Sequence, residues 1–143
     1  MAEAKYESKI GQVVACDKAV FDVLSNLENL NKVRDLIPED KVQELEISPD
    51  CIRMKVGGLA QKIAIRIVEK EEYKTIKFGA DNIPMAVNVW IQLKQVADND
   101  TRMRITLKAD IPMMFRMMLD KKMQQGLDQA VDMLCQLPYN DWK

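Results

Sequence analysis

The sequence predicts an α+β fold: a curved antiparallel sheet of seven strands, two short helices after the first strand, and one long C-terminal helix. Three observations carry this. Successive short runs between Val42 and Ala109 alternate apolar and polar side chains, the period-two pattern of strands with one buried and one wetted face. Tight turn signals separate those runs, so consecutive strands are antiparallel neighbours. From Pro112 to Leu137 the apolar residues recur at helical spacing instead. A chain of 143 residues suits one domain, 1–143, with one sizeable core.

The first strand is expected within Ala4–Val14, where Tyr6, Ser8 and Ile10 share one phase and Val13-Val14 another; Gly11 marks a candidate bulge where the alternation slips. Asp17 is placed as the N-cap of a helix carrying Val20, Phe21, Val23 and Leu24. Ser25-Asn26 interrupts it. A second short helix is expected over Leu27–Leu36, burying Leu27, Leu30, Val33 or the Arg34 stem, and Ile37, with Pro38 ending it. Val42–Ile47 is a weak strand closed by the turn Ser48-Pro49-Asp50. Ile52, Met54 and Val56 then alternate with Arg53 and Lys55, and Gly57-Gly58 turns the chain.

Ile63, Ile65 and Ile67 form the next run, broken at Glu71-Glu72, with Glu69–Glu72 expected as a solvated loop; Ile76 and Phe78 follow, then a loop at Asp81-Asn82-Ile83-Pro84. Val87, Val89, Ile91 and Leu93 alternate with Asn88, Trp90, Gln92 and Lys94; after the polar turn Asp98-Asn99-Asp100, Met103, Ile105, Leu107 and Ala109 alternate with Arg104, Thr106 and Lys108. About 26 residues of final helix span roughly 39 Å, enough to cross a sheet diagonally. The tail Tyr139–Lys143 is expected to fray or to pack as a short cap.

Composition excludes several functions. Twenty-one basic against twenty-two acidic residues leave a net charge of -1, which argues against nucleic-acid binding. No apolar run approaches the ~18 residues of a membrane span. Residues 1–7 lack the apolar stretch of a signal peptide, so a cytoplasmic location is expected. The chain has no histidine, which removes Ser–His–Asp and Cys–His catalysis and histidine-ligated metal sites. Cys16, Cys51 and Cys135 are far apart with no CxxC spacing and read as reduced thiols. No metal and no cofactor are expected.

The order strand, two helices, six strands, long helix is carried by Phe21–Leu30 after the first strand, and by Asn88–Leu93 followed by Arg102–Leu107. On these stretches the chain resembles the START-like, or SRPBCC, superfamily over essentially its full length. It is most similar to small stand-alone bacterial members of the polyketide-cyclase/dehydrase and lipid-transport group. The resemblance implies the helix-grip fold, with a cavity between the curved sheet and the last helix. Members hold lipids, sterols or polyketides there, some with catalysis, and others act as interaction modules. Their motifs are patterns rather than a catalytic box, so they speak for fold more than for activity.

The apolar strand phase would supply the cavity lining: Met54, Val56, Ile65, Ile67, Phe78, Val89, Ile91, Met103, Ile105 and Leu107. Met114, Met117, Met118 and Met123 would face them from the helix. Ten methionines are many, and flexible thioethers suit either an adaptable lining or plain core filling. A third reading turns Met113, Met114, Met117 and Met118 outward as a docking or dimer surface. Gly126 signals close backbone approach, spare volume or a tolerant site. Trp90 lies in the polar phase, on the outer face, near Arg102, Arg104 or Lys108; it covers the sheet or meets a partner, a homodimer included.

Polar groups at the cavity rim are Tyr6, Ser8, Asp81 and Asn82, and they assemble no catalytic pair. Binding of a hydrophobic small molecule without catalysis is therefore the leading expectation. The alternatives are an interaction module and a cyclase- or hydrolase-like enzyme in the same cavity.

Overall fold

The alternating runs pair into one sheet because each buries an apolar phase against the same layer. The computed structural model describes residues 3–29, 31, 42–56, 62–81, 86–137 and 139. The elements are β1 (Glu3–Glu7), β2 (Gly11–Val13), α1 (Asp17–Leu24), β3 (Val42–Ile47), β4 (Cys51–Val56), β5 (Ile63–Glu71), β6 (Thr75–Asp81), β7 (Val87–Ala97), β8 (Asp100–Asp110) and α2 (Met113–Cys135). The sheet runs β1-β8-β7-β6-β5-β4-β3, all neighbours antiparallel, and β2 also pairs with β8. This is the expected α+β helix-grip architecture.

Eight strands replace the expected seven because the first one breaks at Ser8–Ile10. The break leaves its backbone satisfied, as buried polar groups require. Ser8 N donates to Ile105 O and Ile105 N donates to Ser8 Oγ, each at 2.8 Å. Helix α2 supplies the rest: Gln124 Nε2 donates to Glu7 O at 2.8 Å and Lys9 N donates to Asp128 Oδ1 at 2.7 Å. Gly11 lies just beyond the break. Its role is clearance, since a Cβ there would sit 2.5 Å from Cys135 Sγ and 2.6 Å from Val131 Cγ1.

One end of the sheet is closed. Val20, Phe21, Val23 and Leu24 of α1 are buried, and the helix packs against β7. Asp17 is the first helical residue rather than the cap: Cys16 holds the cap position with no side-chain hydrogen bond, and Asp17 N donates to Gln95 Oε1 at 2.9 Å. Phe21 meets Tyr73 edge to face at 5.6 Å, with Tyr73 in the left-handed region at φ 64° on the β5–β6 turn. Residues 27–29 form a 3₁₀ turn tied to the β3–β4 turn by Leu27 N donating to Pro49 O at 2.8 Å. The remainder of the expected second helix, with Leu30, Val33, Arg34, Ile37 and Pro38, lies outside the described residues. So do Gly57-Gly58, Asn82-Ile83-Pro84 and residues 140–143.

Glu69–Glu71 extends β5 as an exposed strand end, correcting the expected loop. The long helix matches expectation, with Pro112 at its N-cap. Leu127 and Val131 are its buried residues, and its main contacts are with β1, β2 and β8. Beyond it, Leu137 and Tyr139 are buried, and the Tyr139 hydroxyl donates to Leu134 O at 2.6 Å. That part of the tail is a packed cap. Among the described residues no helix is long and apolar enough to cross a membrane.

Candidate functional site

The inner face of the sheet is a ladder of cross-strand rows, and burial grades along it. At the closed end Met103 and Ile76 are 0% exposed, with Leu93, Ile91 and Ile105 nearly so. One row further, Tyr6 pairs with Leu107, Leu107 with Val89, Val89 with Phe78, and Phe78 with Ile67. Tyr6 and Phe78 are buried there, whereas Leu107, Val89 and Ile67 are only half-buried. Further still, Val87, Ile65, Ile52 and Met54 remain half-buried, while Ala4 and Ala109 beside Val87 and Ile63 opposite Met54 are buried. The expected strand phase is thus the inward one throughout. The side chain of Val56 lies outside the described residues.

The helix is phased differently from expectation. Stepping back from Val131 and Leu127 by helical intervals reaches Met123, then Asp120, then Arg116. Met123 packs against the core as expected. Met114, Met117 and Met118 do not: they are 78%, 92% and 70% exposed, and Met113 and Phe115 are exposed beside them. The expected sheet-facing trio is corrected. The first turns are apolar nearly all round; Arg116 and Leu119 are half-buried there, Leu119 packed against the core, while Asp120 stays exposed.

That half-buried side carries a polar group. The Tyr6 hydroxyl donates to Asp120 Oδ1 at 2.5 Å. The hydrogen bond to Asp120 holds the Tyr6 hydroxyl above its ordinary value; burial adds to this and the nearby Arg116 opposes it. Arg116, one turn before Asp120, is half-buried, and its Nε and Nη2 are fully buried without a hydrogen-bond partner. No ion pair joins it to Asp120 among the described residues. Sequence reasoning placed Tyr6 near the cavity but missed Asp120 and Arg116. Their i, i+4 spacing in phase with Leu127 and Val131 was the available signal.

The other polar candidates have structural partners. Ser8 closes the strand break. Asp81 ends β6 and takes two hydrogen bonds from Arg66, at 2.5 and 3.1 Å, which hold its carboxyl below the usual range. Asn82 lies outside the described residues. Burial, then Asp132, push the Cys135 thiol up, which makes it a poor nucleophile. Trp90 is on the outer face, with Lys77 Nζ 5.4 Å and Lys108 Nζ 5.6 Å from its ring centroid. Lys108 was an expected neighbour; Lys77 reaches it from β6 across the pair Lys77–Trp90.

Clefts lined wholly by described residues lie for the most part against outward-phase side chains. One of about 280 Å³ runs by Ile10, Gln92, Leu93, Lys94, Arg102, Met103 and Arg104. Another of about 720 Å³ lies by Glu46, Arg53, Lys62 and Asp81 and is mostly polar.

Solved structures share this fold. Norcoclaurine synthase from Thalictrum flavum, in complex with dopamine and hydroxybenzaldehyde, superposes with a TM-score of 0.76 at 13% identity, covering 99% of this chain and 90% of that one. A START superfamily protein from Mycobacterium smegmatis gives 0.56 at 12% identity over 92% and 98%. Protein CV1439 from Chromobacterium violaceum gives 0.63 at 17% over 97% and 99%. No protein-family model matches the sequence, and no curated protein matches it significantly. The likeness is therefore one of fold: the chain has the helix-grip architecture found in START superfamily proteins.

Proposed function

We propose that the protein binds a hydrophobic small molecule, such as a lipid, sterol or polyketide, between the inner sheet face and the first half of α2. The carrying observation is the gradient of burial along one continuous apolar face. That face is sealed at the α1 end, whereas at the other Val87, Val89, Leu107, Ile65 and Ile67 stay half-open beside the buried Ala4, Ala109 and Ile63. Fully burying a Val, Leu or Ile side chain is worth about 1.5–3 kcal/mol, and Val87, Val89, Leu107, Ile65 and Ile67 realise only part of it. A bound apolar molecule supplies the rest. Norcoclaurine synthase, of the same fold, is seen with small aromatic molecules bound.

The reading is non-catalytic and cytoplasmic. A tyrosine hydroxyl held above its ordinary value keeps its proton near neutrality and makes a poor base. The test is uptake of an apolar fluorescent probe by wild type, Val89→Trp and Leu107→Trp. Both indoles fill the half-open row, so each variant should stay folded and lose most of the uptake. Equal uptake by all three folded proteins would sink the reading.

A second reading rests on Met113, Met114, Phe115, Met117 and Met118, five exposed apolar side chains in two turns of α2. As a docking or homodimer surface they would make the sedimentation coefficient rise with concentration, and Met117→Asp would abolish the rise. A monomer at all concentrations removes the homodimer.

A further inference from the structure

The group that fits an apolar ligand least is also the one with the clearest recognition chemistry. Among the described residues, four buried side-chain polar atoms have no hydrogen-bond partner: Asp100 Oδ1, Arg102 Nε, and Nε and Nη2 of Arg116. The first two face each other as an ion pair at 3.2 Å. Arg116 has neither a hydrogen bond nor an ion pair among the described residues. Its two orphaned atoms are not an arbitrary pair. Nε and Nη2 form one flat edge of the guanidinium, with parallel N–H vectors spaced to meet the two oxygens of a carboxylate or phosphate. A buried charged donor left unmade is among the costlier features a fold can carry, so its retention wants a partner.

The surroundings define which partner. Arg116 lies on the inward side of α2, in phase with Met123, Leu127 and Val131, and close enough to Tyr6 to act on its hydroxyl. Across from Tyr6 runs the half-open row Leu107, Val89 and Ile67. The neighbouring Asp120 accepts from the Tyr6 hydroxyl and makes no ion pair or hydrogen bond with the free edge of Arg116.

We infer that the ligand is an anionic amphiphile, whose carboxylate or phosphate is taken side-on by Arg116 while its apolar body lies along the half-open sheet rows. This rests on the apolar-ligand reading and adds the head group to it.

The experiment compares dodecanoate, dodecyl phosphate and dodecanol by calorimetry at submicellar concentration, on wild type, Arg116→Gln and Arg116→Lys. A charge-assisted pair corresponds to roughly a ten- to hundredfold gain in affinity. Wild type should therefore bind one or both anions at least tenfold more tightly than the alcohol. Preference between dodecanoate and dodecyl phosphate then tells a free acid from a phosphate ester. Arg116→Gln should bring the anions to the level of the alcohol and leave the alcohol unchanged. Arg116→Lys, which keeps the charge but not the flat edge, should fall between. Either variant serves if the other does not fold.

Equal affinity for all three compounds in wild type overturns the head-group inference and leaves the apolar-ligand reading standing. An equal loss for anions and alcohol in Arg116→Gln also overturns it, because Arg116 would then act through shape. Binding of none of the three by wild type removes both readings together.

Discussion

The two ends of the inner sheet face are built from the same residue types and differ in what covers them. At the closed end Met103, Leu93 and Ile76 are buried, α1 packs on β7, and α2 comes so near β2 that only glycine fits at position 11. At the open end Val87, Val89, Ile65 and Leu107 keep the strand alternation, yet the helix above them turns Met113, Met114, Met117 and Met118 to water, half-buries Arg116 and meets Tyr6 with the exposed Asp120. A sheet with one apolar face does not itself decide between core and container. The decision lies in the phase of the covering helix and in how far along it the small residues and polar residues fall.

That contrast is broken first by paired deletions. Met103→Ala empties a fully buried site and should cost about 2–5 kcal/mol in urea unfolding. Met117→Ala removes the same atoms from a side chain 92% exposed and should stay within about 0.5 kcal/mol. Comparable losses at both positions would mean that the first turns of α2 are covered.

Next comes the close approach. Gly11→Ala drives a methyl against Val131 Cγ1, and Val131 is stiff because it is β-branched in a helix. A cost of about 1–3 kcal/mol is expected. Gly11→Ala combined with Val131→Ala should cost less than the sum of the two, since the second change removes one of the two clashes created by the first and leaves that with the rotatable Cys135 thiol. Strict additivity would show that the helix is not seated there.

Tyrosine ionisation sharpens the comparison without altering volume. All three tyrosines are raised: Tyr139 by burial, Tyr73 by burial and then Glu72, Tyr6 by its bond to Asp120 and then burial. A raised folded value means that the native state keeps the proton after the unfolded chain has lost it. The stability contribution is thus complete below about pH 10, the unfolded value, and is lost as pH climbs through the higher folded values. Absorbance at the phenolate band should rise at higher pH in the folded protein than in urea. Tyr139→Phe, at the sealed end, should relieve more of the alkaline destabilisation than Tyr6→Phe at the half-open one.

Those residues also mark what was legible in the sequence. Strand phase was, because alternation with tight turns admits one buried set, and Phe78, Ile91, Met103 and Ile105 are in it. The split of the first strand was half legible: Gly11 flagged an irregularity, but the glycine itself answers the close approach of the distant Cys135 and Val131. The start of α2 was not. Where Met113–Leu119 are apolar on nearly every side, hydrophobicity carries no phase, and the methionines drew the stripe to the wrong side. Arg116 and Asp120 were not singled out. Extrapolation back from Leu127 and Val131 puts them in phase with the buried side, where Arg116 is half-buried and Asp120 stays exposed, and only the fold brings Tyr6 to Asp120 across 114 residues of chain.

A further modest effect concerns the outer side of that helix. Gly126 is exposed, and a Cβ built there meets nothing within 4 Å. Close approach and spare cavity volume, two reasons a glycine is kept in a helix, therefore do not apply. Gly126→Ala should recover the backbone entropy that glycine loses, a gain of up to about 1 kcal/mol, and leave probe uptake untouched. Both halves of that result matter. A gain in stability with unchanged uptake confines the ligand to the Arg116 side of α2. A variant that gains nothing, or that loses uptake, would put a ligand or partner on the Gly126 side and carry the open end around the helix.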